Sequence, residues 1–225
     1  MDYGKEFQAY YTKHLGKPSS HLDYFSQQIQ SSMTPYILEE REMRATQMDI
    51  FSRLMRDRLL WVAGPVNDHM STIVQAQLMF LDSSDKSDIT MHIDSPGGSV
   101  KSGLSMVDVM EYISSDIRTI NTGMAASMGS VLLGAGTKGK RGSLRFSQTM
   151  LHQSSGGAGG NIQDARITFQ EWEKVNNILF ELLGEYCGKT AEQVELDSTR
   201  DFWLSAEEAV EYGIIDEVVK TKKRD

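Results

Sequence analysis

Cysteine occurs once, at Cys187, in 225 residues, so no disulfide can form within the chain. A single thiol of this kind fits a reducing compartment. No apolar run approaches the roughly 18 residues that a membrane-spanning helix needs. The first residues also carry no apolar core of the secretory-signal kind. These absences point to the cytoplasm and away from a membrane. Positive charge is in short supply as well: the formal net charge is −8, which disfavours a nucleic-acid groove. No cluster of His, Cys and carboxylate residues has zinc spacing, so neither metal nor bound cofactor is expected. What is present is ordinary for a globular chain. Hydrophobic residues make up 40% and charged residues 24%, over a length that supports one domain with a real core or two small ones.

Residues 1–32 are rich in Tyr, Gln, Ser, Lys and His and have little apolar periodicity, which reads as a leader or flexible arm. Residues 35–47 read as a loop or arm against a partner, or as a solvated connector. Then a repeat of element order begins. Strand-like runs at 59–63, 89–93, 118–122 and 148–152 start about 30 residues apart, the length of a βα unit. Helical patterns fill the gaps, the longest over 162–186 with Gly188 as its stop. Capping boxes are expected at Thr190…Gln193 and Ser205…Glu208, and a last strand within 214–219. Alternating strands and helices imply an α/β fold with a mostly parallel sheet.

In such a sheet, functional groups gather at the C-terminal ends of strands. Three successive runs deliver Gly97-Gly98, Ser127 and His152 to that edge. Ser127 stands in Gly123-Met124-Ala125-Ala126-Ser127-Met128-Gly129, a run of small residues at a strand-to-helix change. That is the setting of a nucleophile elbow, although Ala125 replaces the first glycine of G-x-S-x-G. Close helix packing is the competing reading of the same run. A serine hydroxyl needs a base to act as a nucleophile at neutral pH. Of the histidines, His14 and His21 lie in the leader, His69 is near a helix start and His92 is inside a strand. Only His152 has the strand-end position. A carboxylate must orient the imidazole, and Asp94, Asp164, Asp197 and Asp201 are all candidates among which the residues themselves do not choose. Met128 and Gly98 are natural backbone N–H donors for an oxyanion hole.

Five motifs, in order and in matching spacing over about residues 33–220, carry a family resemblance. They are Asp94-Ser95-Pro96-Gly97-Gly98, the Gly123 to Gly129 run, Lys138-Gly139-Lys140-Arg141, Met150-Leu151-His152-Gln153, and the stretch from Arg200-Asp201 to Tyr212-Gly213. Together they resemble ClpP, the proteolytic subunit family of the Clp protease. The resemblance implies a crotonase-like stack of ββα units with a projecting handle helix, about residues 155–188. It implies a catalytic set of Ser127, His152 and Asp201, with Gly98 and Met128 as oxyanion donors. It implies that extended peptides lie between Gly98, Ser99, Val100 and Lys101 on one side and Ser154, Ser155, Gly156 and Gly157 on the other. Two stacked seven-membered rings and an AAA+ unfoldase, which consumes the ATP, are further implications. So are a removable leader at 1–32, a peptidase domain at 33–225 and an axial segment at 33–48. Ser154 stands where the family usually has proline, and Thr199 where an acidic residue commonly precedes the arginine. The latter puts a ring–ring salt bridge in doubt. A non-catalytic ring subunit and a crotonase-fold acyl-CoA enzyme are the alternatives.

Other signals carry less. Residues 134–140 nearly match a P-loop, but Arg141 replaces the required Ser/Thr. The run Lys138 to Arg141 reads as a solvated turn, and Gly156 to Gly160 as a flexible loop at the substrate edge. Trp61, Trp172 and Trp203 read as core or subunit contacts rather than ligand platforms.

Overall fold

The computed structural model describes residues 36–41, 44–157 and 159–220. The expected leader at 1–32 and the start of the axial segment lie outside them. The chain divides into two units, 1–53 and 54–225. In the first, β1 (Tyr36–Arg41) and β2 (Arg44–Asp49) pair antiparallel, with Tyr36 opposite Asp49 and Arg41 opposite Arg44. The loop expected there is therefore a two-stranded ribbon. Helix α1 (Ile50–Arg56) follows.

The second unit holds β3 (Leu59–Ala63), α2 (Asp68–Ser84), β4 (Ile89–Ser95), α3 (Val100–Tyr112), β5 (Ile117–Ala126) and α4 (Met128–Gly134). Next come β6 (Arg141–Ser143), β7 (Gln148–Leu151), α5 (Ile162–Cys187), α6 (Ala191–Asp197), β8 (Phe202–Leu204), α7 (Ala206–Tyr212) and β9 (Glu217–Val218). One sheet runs β3-β4-β5-β6-β9, with β7 also on β5 and β8 on β7. Every pairing in it is parallel except β7 with β8.

The strands alternate rather than running apolar throughout. On β3 and β4, Leu60, Val62, Ile89, Met91 and Ile93 are buried, while Trp61 and His92 point to the other face. Trp61 and His92 are opposite in register and stack with ring centroids 4.7 Å apart. One sheet face thus meets the chain's own helices, whose stripes supply Val74, Leu78, Leu81, Met106 and Val107 to the core. At about 25 cal/mol per Å² of apolar surface, this burial is the main favourable contribution to folding. Trp61 and Trp203 are not core residues, since both are substantially exposed.

In the basic run at 138–141, Lys138 and Gly139 form the exposed turn expected, whereas Lys140 and Arg141 are structural. Arg141 is buried, and its guanidinium donates to both carboxylate oxygens of Asp216 and to the carbonyls of Tyr186 and Gly213. Lys140 donates to Asp88 and Asp116 at 2.7 and 2.8 Å. The P-loop likeness fails on position: Gly134 ends α4, where carbonyls rather than N–H groups are free. The Ser205–Glu208 capping box forms in full. At Thr190 the side chain caps Gln193 N–H, but the Gln193 amide turns to Asp197 instead.

Candidate active site

Ser127 sits between β5 and α4 at φ 55° and ψ −124°, a backbone region that side chains rarely occupy. Its N–H donates to Met150 O at 2.8 Å, which extends the β5–β7 pairing past Ala126 and Met150. That pairing sets Ser127 beside the end of β7, where His152 follows Leu151. Ser127 makes no side-chain cap on α4. Its Oγ lies 2.8 Å from His152 Nε2.

The small residues around it are needed for space. A Cβ on Gly97 would lie 2.6 Å from Ser127 Cβ, and one on Gly129 would lie 2.8 Å from Ser95 O. All seven residues of α4 are buried, so the close-packing reading of this run holds alongside the chemical one.

Strand pairing brings one of the candidate carboxylates to His152. In the antiparallel β7–β8 register Leu151 faces Phe202, so the next residues outward are His152 and Asp201. Asp201 Oδ1 lies 3.4 Å from His152 Nδ1, an ion-pair separation rather than a short hydrogen bond. The imidazole is 24% exposed and the Asp201 side chain 63%. The other candidates are engaged elsewhere. Asp94 accepts from Met124 N–H at 3.0 Å and fills a bulge in β5, where a Cβ on Gly123 would meet its Oδ1. The turn at 96–98 is braced by Ser95 instead, through Gly97 N–H. Asp164 accepts from the Asn161 amide at the start of α5, and Asp197 accepts from Tyr212 Oη and Gln193.

The two expected N–H donors, Gly98 and Met128, lie on adjoining turns beside this serine. Val66 N–H donates to Gly97 O and Ser99 N–H to Val66 O, so Gly98 turns its own N–H the other way. Gly98 has φ +148°, and a Cβ there would lie 2.3 Å from Val66 O. Met128, the first residue of α4, has an N–H with no acceptor inside its helix. The two turns touch: a Cβ on Gly97 would lie 2.9 Å from Met128 N.

A small pocket of about 20 Å³ is bordered by Ser127, His152, Met128, Val100, Ser154 and Phe180. A groove of about 780 Å³ adjoins it, sharing Val100 and Ser154, and is lined by Gly98, Ser99, Lys101 and Ser155 as well. Gly156 and Gly157 lie outside both linings. Gly156 packs on the Trp172 indole, where its Cβ would lie 2.3 Å from Cζ2, and Gly157 is open. Trp172, read from the sequence as a core or subunit contact, lines the groove. Its signal was helical spacing, since it falls on the same α5 stripe as Leu179 and Leu183. Ser154 donates to Asn176 Oδ1 at 3.0 Å through both N–H and Oγ, and so ties the loop after β7 to α5. Among the described residues no group of three or more His, Cys, Asp or Glu is placed to hold a metal ion. No helix among them is long and apolar enough to cross a membrane.

A hydroxyl on a strained turn, an imidazole at 2.8 Å and a carboxylate on the far ring nitrogen can carry out acyl transfer. Comparison with known proteins agrees with that chemistry. The Clp protease family model matches residues 40–222. The chain is 48% identical over 218 residues to an ATP-dependent Clp protease proteolytic subunit of Bacteroides fragilis strain YCH46, covering 96% of this chain and 99% of the relative. It is 45% identical over 220 residues to the subunit of that name from Porphyromonas gingivalis, covering 97% and 99%. It is 44% identical over 190 residues to that of Streptococcus gordonii, covering 83% and 97%. On this combination of fold, site and sequence likeness, the chain belongs to the Clp protease family.

Proposed function

We propose that this chain is a serine endopeptidase subunit that cuts unfolded polypeptides, with Ser127, His152 and Asp201 as its triad. The observation that carries the proposal is the 2.8 Å approach of Ser127 Oγ to His152 Nε2 on a turn held by β5, β7 and α4. His152 Nε2 takes the Ser127 proton as Oγ bonds to the scissile carbonyl carbon. The oxygen that becomes negative is held by the N–H groups of Gly98 and Met128. The C–N bond then breaks, and His152 gives its proton to the leaving amine. Water, activated by the same imidazole, hydrolyses the ester and frees Ser127. Asp201 keeps Nδ1 protonated and balances the imidazolium.

The substrate lies extended along the backbone at Gly98 and Ser99, with Ser154 and Ser155 opposite, and adds there as a strand does, while Val100 and Lys101, expected to extend that edge, instead open α3 and line the groove beside it. The relatives are named as ATP-dependent proteolytic subunits. By the same likeness the chain works in the cytoplasm as two stacked seven-membered rings, with an AAA+ partner of the Clp class consuming the ATP. Neither alternative reading, a non-catalytic subunit or an acyl-CoA enzyme, has a specific observation in its favour.

Hydrolysis of a quenched peptide by the purified full chain tests this. Ser127→Ala and His152→Ala are each expected to lower kcat by at least about 1000-fold. Asp201→Asn is expected to lower it less, because that carboxylate is open to solvent and its charge is partly screened. Unchanged hydrolysis in Ser127→Ala refutes the assignment.

A further inference from the structure

The stripe of α5 that faces inward continues beyond the core. Leu179, Phe180 and Leu183 are buried, and one to two turns earlier Val175 and Trp172 stand on the same face. There the stripe meets no core. Trp172 and Val175 instead form one wall of the 780 Å³ groove, with Val100 and Leu104 of α3 also lining it and the exposed Lys101, Asp108 and Glu171 adding charge to its lining. Trp172 is half-buried because the Gly156 backbone packs on its benzo edge, which fixes the ring in the groove wall.

The groove is continuous with the site. Val100 and Ser154 line both it and the pocket that contains Ser127 and His152. The free edge at Gly98 borders the groove as well. Size separates the two spaces. About 20 Å³ beside Ser127 has room for about one water, whereas the groove has room for large side chains. In an extended peptide alternate side chains point the same way, about 6.5–7 Å apart. A peptide bound along Gly98 and Ser99 therefore directs a side chain other than the one at the scissile bond into this space.

We propose that Trp172 is a specificity-determining residue: with Val100, Leu104 and Val175 it forms an apolar subsite for an aromatic or large aliphatic side chain of the substrate, away from the scissile bond. This rests on the function proposed above. Binding energy gained there is remote from the reacting atoms and selects among sequences through kcat/KM.

The test uses quenched decapeptides that differ only by Phe or Ala at one scanned position, with the assembled full chain. Rates are taken per competent site, counted by titration with a fluorophosphonate. At the preferred position the Phe/Ala ratio of kcat/KM is expected to fall about 10- to 100-fold in Trp172→Ala and to persist in Trp172→Phe. Leu104→Ala, which alters the α3 lining, is expected to lower the same ratio and provides the measurement if Trp172→Ala does not fold. A ratio unchanged in Trp172→Ala, or unchanged in Leu104→Ala where that variant stands in, overturns the inference and leaves the peptidase standing. So does equal loss in Trp172→Ala and Trp172→Phe. A wild-type protein with no titratable serine overturns both.

Discussion

Ser127 holds a conformation that costs on the order of 1–3 kcal/mol for a residue with a Cβ, and it persists because its surroundings leave no other. Met150 O fixes the serine's N–H, and Gly97 leaves space directly against its Cβ. The same economy of space governs Gly98: its φ of +148° and the 2.3 Å at which a Cβ would meet Val66 O leave no room for a side chain. Gly98→Ala is therefore expected to displace one oxyanion donor. The expected loss is about 100- to 1000-fold in kcat, read as peptide hydrolysis per titrated site. A variant with near-normal kcat would remove Gly98 from the mechanism. Ser127 and His152 were legible in the sequence because each ends a strand, and consecutive parallel strands deliver their ends to one edge. Asp201 was not. It reaches His152 through the antiparallel β7–β8 pairing, a contact between segments some 50 residues apart that no local pattern announces. Asp94 looked equally suited, yet its carboxylate is spent on the β5 bulge at Met124.

Among the elements, the short ones are tied together by charge rather than by length. β6 and β9 have three and two residues, and Arg141 supplies what their ladder cannot. Its guanidinium gathers carbonyls from the ends of α5 and α7 and binds Asp216 just before β9. Burial opposes charge on Asp216 and is the largest single influence. The hydrogen bonds and charge of Arg141 together outweigh it and hold the carboxyl below its ordinary value. Arg141→Ala leaves two carbonyls without their donor and the carboxylate with only the backbone N–H groups of Gly139 and residue 141, and is expected to cost about 2–4 kcal/mol in denaturant unfolding. Because the folded pKa is lowered, the contribution of Asp216 is fully present above the unfolded value of about 3.9 and fades as pH falls through the folded one. The stability gap between wild type and Asp216→Asn is thus expected to be full at pH 7 and to shrink below about pH 4. A gap that does not depend on pH would show that the carboxylate's charge is not what counts. Sequence reading recovered α5 to within a residue of its end, because 26 residues of periodicity and a Gly188 stop are strong signals. It missed β6 and β8, whose three residues leave no period to detect. The solvated turn expected at Lys138 to Arg141 holds for Lys138 and Gly139 but not for Arg141, because burial of an arginine depends on a distant Asp216.

At the scale of the whole molecule, much of what a catalytic subunit would cover is open. No residue of α5 before Leu179 is buried, and Ile162, Ile167 and Phe169 are exposed on it. The outer face of β3 and β4 presents Trp61, and the Asp201 carboxylate faces solvent. Apolar side chains exposed in this number fit a chain that buries them against copies of itself, as the proposed double ring requires. The central claim remains that Ser127 attacks carbonyl carbon with His152 as its base. Peptide mapping by mass spectrometry after treating the assembled full chain with a fluorophosphonate tests this most directly. The account predicts one adduct per chain, on Ser127, absent from Ser127→Ala and strongly slowed in His152→Ala. An unlabelled Ser127 in protein that still hydrolyses peptides, or equal labelling without His152, would contradict it.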